Sequence, residues 1–544
     1  MEIADRCIIS FFFIIFAVNY TKRTFVQEQM NKNYLTQVVI LFLLTIGILL
    51  GLSTLKPTDI SFTTKEIDVL SSLREAPSNE EMTGDEREGQ ATAIPAKDST
   101  AVTGEEILPG VENAATVADS IAHKADGVPT TIPDSTFTRI DVSSVPRKAG
   151  DITLIEDYTT AQAGLRNLKA AIGTRQRPVR IAVLGDSFTE ADIMTQNIRQ
   201  LLQDEYGGCG VGYMPMYSDC PGFRHSVSHV CKGWETHSVI SKPEYKYTSL
   251  MLQMHRPQDS IKTRSRFKGV SKLRHLDHWN VSKIGFIAEN GGVISVKTDS
   301  GSHSYDVNPD TKAQFIVIPE TTQSLEIKCD RHDIAFWGAW LDGHKGIAVD
   351  NISVRGYSGT TIPSIPVERM RQLNEAIPYD IIVLQYGLNS MNKNVTDYAY
   401  YTVHLVKMVN HLRAAFPSTD IVIMGISDRC QNINGTIQTM KAVYALREAQ
   451  RKAAIETGCH FWDCCEAMKT LGGMAAFVDK KWANKDYTHI SRSGGAQVAE
   501  EFVKALKYAL GQEEEEAAKP EMENEKTGQE ILPAETQNAT VINE

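Results

Sequence analysis

The sequence predicts an α/β fold, a parallel sheet covered by helices on both faces, with an antiparallel β-sandwich inserted into it. Three observations lead there. Short apolar runs alternate with amphipathic helical patterns over residues 179–510. Those runs are continuous rather than alternating, as expected for strands buried on both faces. Between residues 213 and 345 the pattern changes to alternation of period two, bracketed by turn residues.

The strand-like runs of the α/β part are 179–184, 352–354, 380–386 (DIIVLQY), 420–425 (DIVIMG) and 460–463. Helical patterns follow at 192–202, 366–376, 398–414, 436–456 and 494–510. This strand–helix succession is the signature of a sheet built from right-handed crossovers. In the interruption, 292–298 (GVISVKT), 314–318 (QFIVI) and 324–328 (SLEIK) alternate, with turns at Glu289-Asn290-Gly291 and Asn308-Pro309-Asp310. They read as an antiparallel sandwich or jelly roll placed in a surface loop, where insertions are well tolerated.

The flanks differ in kind. Residues 38–55 (VVILFLLTIGILLGLSTL) are long enough to cross a bilayer with slight tilt, whereas 8–18 are too short. Lys22, Arg23 and Lys32 precede the longer run, which favours a cytoplasmic N-terminus and an anchor that is retained. Met30 is an alternative start. Residues 56–145 and 512–544 are rich in small polar and acidic residues and read as a disordered linker and an acidic tail. They share an echo, TGEEILPGVENAATV at 103–117 and TGQEILPAETQNATV at 527–541. It is either a motif for an unknown partner or duplicated linker. The expected organisation is therefore an anchor segment at 1–55, a linker at 56–145, the α/β domain at 146–212 and 346–511, the sandwich at 213–345, and the tail. An extracytoplasmic, periplasmic catalytic region on a single-pass inner-membrane anchor follows.

The net charge of −11 and the lack of a sustained basic face argue against nucleic-acid binding. Nine cysteines are too few for a disulfide scaffold. Cys220 and Cys231 could close a small ring, while Cys464 and Cys465 read as buried thiols. No paired CxxC or His/Cys spacing suggests a metal, and no cofactor is expected.

Four short blocks carry the chemistry. Gly185-Asp186-Ser187 ends the first strand just before a helix, where free N–H groups and the helix dipole favour an oxyanion. Gly356-Tyr357-Ser358-Gly359 follows the second strand, Tyr386-Gly387-Leu388-Asn389 the third, and Asp486-Tyr487-Thr488-His489 precedes the last helix. A serine hydroxyl needs a neighbouring base to become a nucleophile, and imidazole titrates near neutrality. A carboxylate three residues before that histidine can orient the ring and stabilise its cation.

With its four blocks in this order, the chain resembles the SGNH/GDSL hydrolase superfamily. The resemblance implies a flavodoxin-like three-layer sheet. It implies Ser187, His489 and Asp486 as catalytic residues, with oxyanion donors from the Ser187 and Gly359 backbone and the Asn389 side chain. One departure is Ser390, where the third block usually continues with aspartate. The stretch from Thr189 to Tyr213, with Tyr206-Gly207-Gly208-Cys209-Gly210, and the later Phe336-Trp337-Gly338-Ala339-Trp340-Leu341 are similar to bacterial peptidoglycan O-acetylesterases. Those enzymes carry a carbohydrate-binding-like β insert at this place. The implied activity is removal of O-acetyl groups from a cell-wall or surface glycan. An acetyltransferase of the same fold and a non-catalytic glycan-binding protein are the alternatives.

Several side chains have two readings. Trp234, Trp279, Trp337 and Trp340 could stack on sugars or fill the core. The basic run from Arg256 to Arg274 could meet an anionic glycan or form a solvated face. His460 and Asp463 read as packing residues, and Asp192 as a brace for the helix after the nucleophile.

Overall fold

In the computed structural model, the described residues are 140–511, apart from 175 and 260. The expected anchor, most of the linker and the acidic tail with its repeated motif lie outside them. Among the described residues, no helix is long and apolar enough to cross a membrane.

The central sheet has six strands, in the order Ile347–Ser353, Val179–Gly185, Ile381–Gln385, Asp420–Met424, His460–Trp462 and Ile155–Asp157. The first five are parallel and the last is antiparallel. Numbered along the chain, the parallel strands run 2-1-3-4-5, the flavodoxin-like order. Val179–Gly185, Ile381–Gln385 and Asp420–Met424 are buried at every position, which explains their unbroken apolar sequences. Helix Thr195–Tyr206 packs beside Arg492–Ala509, while Val367–Ala376, Ala399–Ala415 and Lys441–Thr457 form a second group of neighbours.

Register decides where function can sit. Ser353 pairs with Gly185, Gly185 with Gln385, and Gln385 with Met424. Four strands therefore end at one level, and the turns that follow them open on a common edge. Ligands of such sheets bind at this edge, where the strand order reverses.

Some elements depart from expectation. The second strand begins at Ile347, not 352, because Asp350 and Asn351 are polar yet buried. Residues 436–439 form a hairpin with Cys430–Ile433, and the helix expected from 436 starts at Lys441. The helix expected from 192 starts at Thr195, after a turn in which Ala191 and Asp192 have φ of 53° and 60°.

Residues 212–342 build two antiparallel sheets. One runs Asp310–Ile318, Val281–Ala288, Ala335–Asp342, Gln253–Pro257, Trp234–Ser238, with Gly212–Met214 also paired to Ala335–Asp342. The other runs Ser302–Val307, Gly292–Lys297, Ser324–Lys328, Arg264–Lys268, Ser228–Lys232. Phe286 and Phe336 of the first share a core with Phe267, Ile294 and Leu325 of the second. All four tryptophans weighed above are buried, so none offers a sugar-stacking face. Of the basic run, Arg256 pairs with Glu244 and Arg264 with Glu326.

A buried ionic cluster joins these sheets to the parallel one. Arg180 bonds Asp350 at 3.0 Å and Asp342 at 2.5 Å. Asp350 also accepts from Tyr379 Oη (2.8 Å), Trp340 Nε1 (3.2 Å) and the Tyr213 N–H (2.8 Å). Removing one member would strand a buried charge. Cys220 and Cys231 are both free thiols and half-buried, so the small ring they could close is not formed. Cys464 and Cys465 are buried thiols.

Candidate active site

The common edge gathers the four blocks. Ser187 sits in the turn after Val179–Gly185, and its Oγ lies 3.2 Å from His489 Nε2. His489 Nδ1 is 2.7 Å from Asp486 Oδ2. The other carboxylate oxygen, Oδ1, accepts the backbone N–H groups of Thr488 (2.9 Å) and His489 (3.0 Å). Partial burial pushes the Asp486 carboxyl up, but the His489 bond and these two N–H groups outweigh it and hold the group below its ordinary range. It is thus an ionised acceptor that leaves Nδ1 protonated and Nε2 free to take the serine proton.

The short spacing of the last block is what makes this possible. Asp486 and His489 lie on one turn, closed by Asn484 N–H to His489 O (2.8 Å). Ser491 then caps the helix Arg492–Ala509.

Gly359 occupies the turn after Ile347–Ser353 with φ of 82°. A Cβ there would lie 2.6 Å from Met408 Cε and 2.9 Å from the Tyr386 ring, so only glycine fits. Gly185 is constrained by space alone, since a Cβ would come within 2.2 Å of Thr189 Oγ1.

Asn389 is exposed at the edge, but its amide is engaged. Nδ2 donates to Asp186 Oδ2 (2.9 Å) and to the Tyr357 carbonyl (3.1 Å). To donate to an oxyanion, one of these bonds must yield. Asp186 itself is fully buried, and its Oδ1 accepts the Phe188 N–H at 2.9 Å. Burial raises its carboxyl to about 6, against the opposing pull of the Phe188 N–H, His489 and Asn389. One carboxylate thus ties the nucleophile turn to Asn389, a role that the sequence reading gave to no residue. A buried acid between two motif positions was the available signal.

Other expectations resolve simply. His460 is buried between the carbonyls of Ile421 (3.2 Å) and Gly164 (3.1 Å), a packing position. Asp463 caps the helix Cys464–Thr470 and pairs with Arg451 at 2.7 Å. Among the described residues, no cluster of His, Cys, Asp or Glu could hold a metal. A cavity of about 530 Å³ is lined by Glu190, Ser353 and Arg355, from the ends of the first two parallel strands and the turns after them, and by Tyr217, Ser241 and Gln253; Ser187, Gly359, Asn389 and His489 do not line it.

Residues 320–496 match the GDSL-like lipase/acylhydrolase family. That span begins within the antiparallel region and holds Gly359, Asn389, Asp486 and His489 but not Ser187, which precedes that region in sequence. A solved peptidoglycan O-acetylesterase is 21% identical, over 66% of this chain and 99% of its own, with a TM-score of 0.55. At that identity the likeness shows a shared fold. A family two carbohydrate esterase from Cellvibrio japonicus is 10% identical over 53% of this chain and 99% of its own, with a TM-score of 0.23. No curated protein matches the sequence.

Proposed function

We propose that this chain, an SGNH esterase carrying a hydrolase domain of the GDSL-like lipase/acylhydrolase family, removes O-acetyl groups from a cell-wall glycan, with peptidoglycan the favoured substrate. The observation that carries the reading is the hydrogen-bonded chain from Ser187 through His489 to Asp486.

In this reading Ser187 Oγ attacks the acetyl carbonyl as His489 Nε2 takes its proton. The tetrahedral oxyanion is met by the Ser187 and Gly359 backbone N–H groups and by the Asn389 amide, released from Tyr357 or Asp186. His489 then protonates the departing sugar oxygen, leaving acetyl on Ser187. Water, deprotonated by His489, attacks that ester and releases acetate, and the proton returns to Ser187. The two antiparallel sheets are the inserted carbohydrate-binding-like domain of this reading. Residues 38–55 are its membrane anchor, placing the catalytic part in the periplasm.

The fold shared with a peptidoglycan O-acetylesterase over nearly all of that protein supports the substrate. Acetate release from O-acetylated peptidoglycan and from a small acetyl ester tests it, using the full chain and its Ser187→Ala variant. Serine-dependent release from both is expected. Release from the small ester alone would move the substrate elsewhere.

A further inference from the structure

We propose that Arg224 and Ser226, which lie between the strands Gly212–Met214 and Ser228–Lys232, are positioning residues for Ser187. They act through the buried carboxylate of Asp192, so the sheet region takes part in the ester chemistry and not only in holding a glycan.

The turn after the nucleophile is strained. Ala191 and Asp192 both take left-handed backbone conformations, with φ of 53° and 60°. Neither is glycine, and such residues persist only where their surroundings hold them. Asp192 supplies that hold. Its side chain is fully buried. Oδ1 accepts from Thr195 Oγ1 at 2.6 Å. Oδ2 accepts from Arg199 Nη1 at 3.1 Å, from Arg224 Nε at 2.9 Å and from the Ser226 hydroxyl. Although burial opposes ionisation, the two guanidinium groups keep this carboxyl well below the usual range, so the clamp stays charged at working pH.

Two further bonds fix the same turn. Asn351 Nδ2 donates to the Thr189 carbonyl at 2.6 Å, and Arg492 Nη1 donates to the Ala191 carbonyl at 3.2 Å. Arg492 is three residues beyond His489, so the turn is tied on one side to the base and on the other to the antiparallel sheets. Arg199 and Thr195 belong to the helix after the turn and hold Asp192 from within. Arg224 and Ser226 hold it from outside and set where the turn sits. Arg224 is itself anchored, its Nη1 donating to the Tyr213 carbonyl at 3.3 Å. A displacement of about 1 Å in a reacting group can cost about a hundredfold in rate.

Hydrolysis of 4-nitrophenyl acetate by the full chain tests this, since so small an ester needs no glycan contact. Arg224→Ala is expected to lower kcat at least tenfold with KM changed less than twofold. Added guanidinium ion should restore part of the loss, and Arg224→Lys should fall between. Ser226→Ala should give a smaller loss of the same kind. Thermal unfolding of each variant reports whether the fold survives, which the remaining Arg199–Asp192 pair favours. A kcat for Arg224→Ala within twofold of the parent would overturn the proposal. So would a loss that neither guanidinium nor lysine restores and that follows the fall in melting temperature. Absence of acetate release from wall glycan, with these small-ester effects intact, would count against the substrate reading alone.

Discussion

The nucleophile and its base are held in opposite ways. Ser187 stands on a turn fixed by long-range, buried polar bonds. Asp186 reaches across to Asn389, and Asp192 gathers Arg199, Arg224 and Ser226. The base sits on a local loop. Asp486 and His489 are three residues apart, and their side chains are 41% and 40% exposed. The rigid half sets a position, while the exposed half needs only to set an orientation. Changes to the buried bonds that hold the nucleophile turn should therefore lower stability as well as activity, whereas truncating Ser187 itself removes only the nucleophile. Changes on the base side should move activity alone.

Ser187→Ala is expected to have the largest effect, about 10⁴-fold or more in kcat on any acetyl ester, with little change in melting temperature. Asp486→Asn should follow with a loss on the order of 10³–10⁴, because the wrong tautomer of His489 is then favoured. Its thermal unfolding should match the parent, and a drop of several degrees would break the contrast drawn here. Asn389→Ala should cost about 10²–10³ in kcat with KM nearly unchanged, as expected for a group that meets the substrate only at the oxyanion.

Asp186→Asn gives a smaller loss of activity, about tenfold, and a distinctive stability profile. In the folded chain its carboxyl titrates at about 6, against 3.8 ordinarily. The folded state therefore holds this proton more tightly than the unfolded state. Its contribution to stability is fully present below about pH 4 and is lost as pH rises through about 6, roughly 3 kcal/mol in all. The asparagine variant should lack that decline, and urea unfolding at pH 4 and pH 7 measures it. An identical pH dependence in parent and variant would remove Asp186 from the account.

This contrast also explains what could be read from sequence. Unbroken apolar strands and short motifs are local, so the parallel sheet and the block Asp486–His489 were legible. The strand Ile155–Asp157 was not, since three residues give no periodicity and its pairing with His460–Trp462 is long-range. The true start of Ile347–Ser353 was hidden because Asp350 is buried only with Arg180 and Tyr379, distant in sequence. Asp192 was legible as a brace for its own helix. That Arg224 and Ser226 share it depends on a contact across more than 30 residues. The engaged state of the Asn389 amide likewise follows from Asp186 and Tyr357 meeting in space.

Covalent labelling of the full chain with a fluorophosphonate, followed by peptide mass mapping, asks whether Ser187 is the nucleophile. One adduct is expected, on Ser187, formed in parallel with loss of acetyl-ester hydrolysis and strongly slowed in His489→Ala. An adduct on another residue, or hydrolysis that persists in fully labelled protein, would contradict that assignment.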